Sequence, residues 1–356
     1  MAKVHFEHGS IEFHLIPNHQ NIDFFLSDYE KSILIFIKEW INGKTSWQLQ
    51  TSGSTGKPKT ILLHRNLMEY SAKQTVKTLN LAKNCNVGLF INADFVGGKM
   101  MIVRCLINEM NLLVRKPSTQ SLTELPDDLP IHFAAFVPLQ ISTFLNDEHQ
   151  LKQLNKLNNV IIGGAPLDDH SLATLRKTTV NCWQTYGMTE TYSHVALKKI
   201  SGSDLSDRFT ATGDVLFSTD HESRLIINGT ITDHQPLLTN DIVRLQDNRS
   251  FEWIGRYDHV INSGGVKISP ELLESKIRQV IDLIDRSKRF FIGAIPDKKL
   301  GEKLVLYIEG AIDTDYLSAE LKRILPKYEV PKEIILKPEF VYTQSGKINR
   351  IASQKG

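Results

Sequence analysis

The chain has 356 residues, enough for two domains with cores of their own. Its 42 lysines and arginines against 40 aspartates and glutamates leave a formal net charge of +2, too balanced to mark it for nucleic acid or an anionic membrane. Cys85, Cys105 and Cys182 lack metal-type spacing and cannot all pair, which excludes a disulfide scaffold and points to a reduced, cytoplasmic setting. Met1 to Ser10 holds no apolar stretch of signal-peptide length, and no run approaches the ~20 apolar residues of a membrane span, so a soluble chain is expected.

Tyr29, Ile33, Phe36, Ile37 and Trp40 recur at helical spacing and predict an amphipathic helix docked on a sheet. Trp47–Gln50 and Thr60–Leu63 read as strands on either side of Thr51–Lys59. Beyond them, strands and helices alternate. Ile61–His64 precedes a helix over Arg65–Leu81, Val87–Asn92 precedes Lys99–Met110, and Asn159–Ile162 precedes Leu167–Lys177. Such alternation predicts an α/β domain with a largely parallel sheet and ligand sites at the strand ends. From about Leu225 the pattern turns β-rich, with strands at Arg224–Asn228, Asp241–Leu245 and Phe251–Gly255. From His259 onward a helix over Pro270–Val280 and strands at Arg289–Ala294 and Lys303–Glu309 predict a small α+β domain. The boundary falls at Arg256–Asp258 and divides 1–257 from 258–356.

Thr51-Ser52-Gly53-Ser54-Thr55-Gly56-Lys57-Pro58-Lys59 carries four hydroxyls, two glycines and two lysines and no aliphatic side chain. It cannot join a core, but it can bend tightly and surround a polyphosphate with N–H groups, hydroxyls and positive charge. It is not a Walker A loop: two residues separate Gly53 from Gly56, and Pro58 follows Lys57.

This run resembles the phosphate-binding loop of the adenylate-forming acyl-CoA synthetase superfamily, which includes carrier-loading adenylation domains and luciferases. Five further blocks follow in that superfamily's order and extend the resemblance over nearly the whole chain. They are Gly163-Gly164-Ala165-Pro166, Tyr186-Gly187-Met188-Thr189-Glu190-Thr191, Thr239-Asn240-Asp241, the stretch from Gly255-Arg256-Tyr257-Asp258 to Asn262-Ser263-Gly264-Gly265-Val266-Lys267-Ile268, and Thr343-Gln344-Ser345-Gly346-Lys347-Ile348. One departure is that only 50 residues precede the phosphate loop. The resemblance therefore implies a truncated N-terminal region, with consequences for any homo-oligomer surface.

The resemblance implies activation of a carboxylic acid by ATP, release of pyrophosphate and transfer of the acyl group to CoA. Thr51 to Lys57, with Ser52, Ser54, Thr55 and Lys57 foremost, would hold the β- and γ-phosphates. Glu190 would hold Mg²⁺ and Thr189 would donate to the α-phosphate. Gly163, Gly164, Ala165 and Pro166 would wall the adenine, with Tyr186, Gly187 and Met188 beside it. Asp241 would accept from the ribose hydroxyls, with Arg256 adding a contact. In that block Asn240 stands where glycine is usual, and its tolerance of positive φ would preserve the turn. A literal Thr212-Gly213-Asp214 lies too close to the Tyr186 block and reads as a decoy. Lys347 would bridge carboxylate and α-phosphate, Asp258 would be the hinge of a mobile C-terminal domain, and Gly264 and Gly265 would admit the pantetheine arm of CoA.

The acid is read from Asp94–Arg104. A cation buried there needs a partner, which suggests an acid with a second carboxylate. Lys99 and Arg104 are five residues apart, about 140° around a helix, so both are not expected to face the substrate. Lys99, beside Gly98 at the helix start, is the first choice. With Ser193 and His194 after the Tyr186 block, the pattern most resembles the o-succinylbenzoate–CoA ligases of menaquinone biosynthesis; a structural histidine at position 194 is the other reading. Alternatives are another aryl- or acyl-CoA synthetase, a carrier-loading adenylation domain, and a non-catalytic nucleotide sensor.

Overall fold

A computed structural model describes residues 2–7, 9–18, 26–50, 59–123, 125, 129–342 and 348–355. Two units emerge, Met1–Leu216 with Ile227–Leu237 and Asn248–Ser250, and Phe217–Ile226 with Leu238–Asp247 and Phe251–Gly356.

The first unit opens with strands β1 (Lys3–Phe6) and β2 (Gly9–Glu12), then helix α1 (Asp28–Ile41). Helix α1 starts in a capping box, where Ser27 Oγ accepts from Glu30 N and Glu30 in turn accepts from Ser27 N. It buries Ile33, Leu34, Phe36, Ile37 and Trp40, four of them the periodic residues of the sequence. Strands β3 (Ser46–Gln50) and β4 (Thr60–His64) pair antiparallel, and helix α2 (Arg65–Thr78) follows. Next come β5 (Asn86–Leu89), α3 (Val96–Asn108), β6 (Asn111–Val114), β7 (Phe133–Phe136), α4 (Pro138–Leu145), α5 (Glu148–Leu154), β8 (Asn159–Ile162), α6 (Asp169–Leu175), β9 (Asn181–Met188), β10 (Ser193–Lys199) and β11 (Phe209–Ala211).

These strands lie in the order β11-β10-β9-β8-β7-β5-β6-β1-β2. The run from β9 to β1 is parallel, as the alternating pattern predicts, while β10, β11 and β2 are antiparallel additions. The inner strands are buried on both faces: Phe133–Phe136 reads as four consecutive buried residues, the mark of a sheet covered by helices on each side. Phe90, Phe136 and Phe144 form the aromatic centre of one core, with Phe90 stacked on Phe136 at 5.4 Å.

The second unit takes most of β12 (Leu216–Thr219), β13 (Arg224–Asn228), β14 (Leu237–Asp247) and β15 (Ser250–Arg256). It continues with β16 (Ile261–Ser263), β17 (Val266–Ile268), α7 (Pro270–Ile284), β18 (Phe290–Asp297), β19 (Gly301–Glu309), α8 (Thr314–Ile324), β20 (Glu333–Lys337) and α9 (Arg350–Lys355). Leu273, Ile277 and Ile281 of α7 and Leu317 and Leu321 of α8 pack on β18 and β19. The mixed α/β architecture with a small α+β segment agrees with the sequence reading. Among the described residues no helix is long and apolar enough to cross a membrane. Cys85, Cys105 and Cys182 are free and buried.

Candidate active site

The phosphate loop Thr51, Ser52, Gly53, Ser54, Thr55, Gly56 and Lys57, and the lysine loop from Thr343 to Lys347, lie outside the described residues. The ends of the lysine loop are described. Tyr342 and Ile348 face each other in an antiparallel bridge, and Tyr342 Oη donates to Glu309 Oε1 at 2.9 Å.

Two described blocks of the first unit sit at the C-terminal ends of the parallel strands β8 and β9, where ligands of α/β sheets bind. Gly163-Gly164-Ala165-Pro166 follows β8. Gly163 donates its N–H to Phe136 O, and a Cβ on it would lie 2.3 Å from Thr185 Oγ1. Gly164 has φ +93°. The turn therefore needs glycine for backbone reasons, whatever stacks on it. Tyr186-Gly187-Met188 ends β9, and Thr189–Thr191 forms a 3-10 turn that leaves Glu190 exposed. A single exposed carboxylate at a strand end fits a Mg²⁺ completed by phosphate oxygens and water. Among the described residues no group of three His, Cys, Asp or Glu side chains forms a cage.

The chain then reverses sharply. Tyr192 and Ser193 both take positive φ, +55° and +123°, a conformation costing roughly 1–3 kcal/mol for a non-glycine residue. Three features hold it. Thr191 Oγ1, fully buried, donates toward Ser193 O at 2.8 Å and accepts from Met188 N at 2.9 Å. Ser71 Oγ donates to Tyr192 O at 3.3 Å. Gly187 supplies the room, since a Cβ there would stand 2.1 Å from Ser193 O.

This strained turn presents Ser193 and His194 to α2 and α3. Arg104 of α3 is fully buried. Its Nη2 donates to Ser193 Oγ at 3.1 Å and its Nη1 to the weak acceptor Met101 Sδ at 3.4 Å, while Nε has no hydrogen-bond partner. No carboxylate among the described residues pairs with it. Burial pulls its pKa down to about 9, still charged at neutral pH. His194 is buried alongside; its Nε2 lies 3.0 Å from Thr75 Oγ1 and its Nδ1 3.5 Å from Ser193 Oγ. Burial, then the nearby Arg104 charge, push its pKa well below the ordinary histidine value, so the ring is neutral. Lys99 goes elsewhere: its ammonium lies 5.0 Å from the Phe36 ring of α1, where Asp94 and Glu39 partly offset its desolvation. Gly98 packs the start of α3 onto Asn92, at whose carbonyl a Cβ would approach to 2.4 Å. Of the five expected acid-site residues, the structure thus gathers Arg104, Ser193 and His194. Thr75 joins them without any motif to announce it; only its apolar-face position on a helix hinted at burial.

The decoy block has a structural task. Asp214 accepts from Tyr70 Oη, from Thr230 N and, at 2.7 Å, from Thr230 Oγ1, clasping the 230–232 turn to α2. Tyr70, Gln74, Lys77 and Arg249 line an open cavity of about 590 Å³ beside it.

In the second unit Asp241 is buried in the middle of β14 and accepts from Trp253 Nε1 at 3.1 Å, with Arg256 Nη1 at 3.8 Å. Asn240 departs from expectation. It needs no positive φ, because Thr239-Asn240-Asp241 continues as extended strand instead of turning. Arg256 grips Asp258 through two bonds, 2.9 and 2.8 Å, and holds that carboxyl below its usual pKa against the cost of burial. Gly264 and Gly265, at φ +59° and +82°, form the two-residue turn of the β16–β17 hairpin, whose twist demands positive φ at both positions.

Residues 48–220 match the family model described as AMP-binding enzyme. A solved acyl-CoA synthetase (AMP-forming)/AMP-acid ligase II-like protein from Dyadobacter fermentans DSM 18053 is 34% identical over 97% of this chain and 98% of its own, with a TM-score of 0.65. The 2-succinylbenzoate–CoA ligase of Lactococcus lactis subsp. lactis (strain IL1403) is 26% identical over 85% of this chain and 69% of its own length. The fold also matches the Bacillus subtilis O-succinylbenzoate Coenzyme A synthetase solved with ATP and magnesium ion, at a TM-score of 0.71 and 18% identity, covering 86% of this chain and 69% of that one. With the signature blocks in order along the sequence and a near full-length relative above 30% identity, the chain belongs to the AMP-binding enzyme family of adenylate-forming ligases.

Proposed function

We propose that the protein is an AMP-forming acid–CoA ligase acting on 2-succinylbenzoate, a step of menaquinone biosynthesis. In the first half-reaction a carboxylate oxygen attacks the α-phosphorus of ATP, and the bond to the β-phosphate oxygen breaks to release pyrophosphate. In the second, the CoA sulfur attacks the acyl carbon and AMP leaves. The phosphate loop 51–57 holds the leaving pyrophosphate, Thr189 the α-phosphate, and Asp241 with Arg256 the ribose. Mg²⁺ at Glu190 would neutralise phosphate charge. Lys347 brings an ammonium to the reacting carboxylate and α-phosphate, and rotation about Asp258 replaces it with the Gly264-Gly265 hairpin for thioester formation. The working domains are 1–257 and 258–356.

The observation that carries the choice of acid is Arg104. A buried guanidinium with no carboxylate partner costs several kcal/mol, and a substrate anion would offset that cost. Half-buried Ser193 stands before it, so a second carboxylate meets the serine hydroxyl with the cation directly behind. That placement supports Arg104 over Lys99 as the reader of that group. Relatives bearing the name 2-succinylbenzoate–CoA ligase support the same reading. The test is ATP- and CoA-dependent thioester formation with 2-succinylbenzoate against benzoate. Equal turnover of both removes the dicarboxylate argument; pyrophosphate exchange without transfer to free CoA would favour carrier loading instead.

A further inference from the structure

The hydrogen bonds around His194 have a direction, and the direction decides what Ser193 can offer a ligand. Thr75 Oγ1 has one proton and two candidate acceptors, Ser71 O at 3.2 Å and His194 Nε2 at 3.0 Å. Ser71 O already serves the N–H of residue 75 within α2, whereas the ring nitrogen faces only the threonine hydroxyl. Donation to Nε2 is the shorter bond. It satisfies an atom that burial removes from water. A neutral ring accepting at Nε2 carries its proton on Nδ1, where it points at Ser193 Oγ.

We infer that Thr75 is a positioning residue for the acid site: it fixes His194 as the Nδ1–H tautomer, so that Arg104 and His194 both donate to Ser193 Oγ and the serine proton is left for the substrate's second carboxylate. In the opposite tautomer Ser193 would spend its proton on the ring and turn a lone pair toward the incoming anion. Two donors on one hydroxyl oxygen also polarise its O–H and strengthen the bond it gives. The strained φ of Ser193 and the clamp through Thr191 and Ser71 hold Oγ where both donors reach it. The consequence for specificity rests on the dicarboxylate reading above, but the tautomer does not.

Ring ¹⁵N NMR of the unliganded protein reads the tautomer directly. A pyrrole-type Nδ1 and a pyridine-type Nε2 are expected for His194, and the reverse pattern overturns the inference. Thr75→Val should lower kcat/KM for 2-succinylbenzoate about tenfold through KM, leave kcat for that acid and pyrophosphate exchange with benzoate within twofold, and be rescued by Thr75→Ser. Equal losses on both acids, or a Ser variant as impaired as the Val variant, assign Thr75 to packing and refute the positioning role. If the wild type makes no 2-succinylbenzoyl thioester while Nδ1 carries the proton, the substrate reading fails and the tautomer assignment stands.

Discussion

Replacing Arg104 by methionine should make the protein more stable and less selective. The guanidinium is fully buried, bonded to one hydroxyl and one sulfur, with Nε unpartnered. Its pKa falls from 12.5 to about 9. At roughly 1.4 kcal/mol per unit, that corresponds to a desolvation cost of about 5 kcal/mol for the charged form at neutral pH. A lowered base pKa means the penalty is present at pH 7 and is relieved only as pH rises past 9. Methionine keeps the aliphatic packing and forfeits about 2 kcal/mol of charge-assisted hydrogen bonding to Ser193. The net gain is roughly 2–4 kcal/mol, in line with exchanges of buried ionic groups for apolar ones, and on the order of 3–5 °C in Tm for a chain of this length. A hydrogen bond to a charged group contributes about 2 kcal/mol, so kcat/KM for 2-succinylbenzoate should fall roughly thirtyfold. Benzoate activation should not change. Calorimetry of the unliganded protein and thioester assays with both acids read the two effects. A variant no more stable than wild type, or one that loses both acids equally, would refute the reasoning.

Lys347→Ala should abolish pyrophosphate exchange yet spare thioester formation from supplied acyl-adenylate; loss of both half-reactions to the same degree would contradict domain alternation. Gly187→Ala drives a methyl into Ser193 O and should cost about 3 kcal/mol in denaturant unfolding, together with most of the activity, because the clash is with backbone. Asp241→Ala should weaken ATP binding at least tenfold by calorimetric titration. Asp214→Ala should leave ATP affinity unchanged and cost about 1–3 kcal/mol, since its carboxylate serves Tyr70 and Thr230. Glu274, which accepts from Arg350 and Ile292 N, is raised by burial to about 7. The folded state then holds this proton more tightly than the unfolded chain. Its contribution, up to about 3 kcal/mol, is complete below about pH 4.5 and is lost as pH climbs through 7. Glu274→Gln should flatten that part of the stability–pH curve, and an unchanged slope would assign it to other groups.

Local patterns in this chain were legible because local physics sets them. The apolar spacing from Ile33 to Trp40 specifies α1, and alternating strand and helix segments specify a parallel sheet. The blocks at 163–166 and 186–190 announced themselves through their glycines and the order in which they follow one another. What the linear order left open depended on partners distant in the chain. Lys99 and Arg104 share one helix and one charge, yet Phe36 receives the first and Ser193, eighty-nine residues away, the second. Thr75 looked like any buried threonine until β10 brought His194 against it, and Thr212-Gly213-Asp214, set aside as a decoy on its spacing, gained a task only when Thr230 closed on it. Burial and pairing are properties of assembled surfaces, so which cation stays uncompensated, and which hydroxyl keeps a proton for a ligand, is settled only when the elements pack.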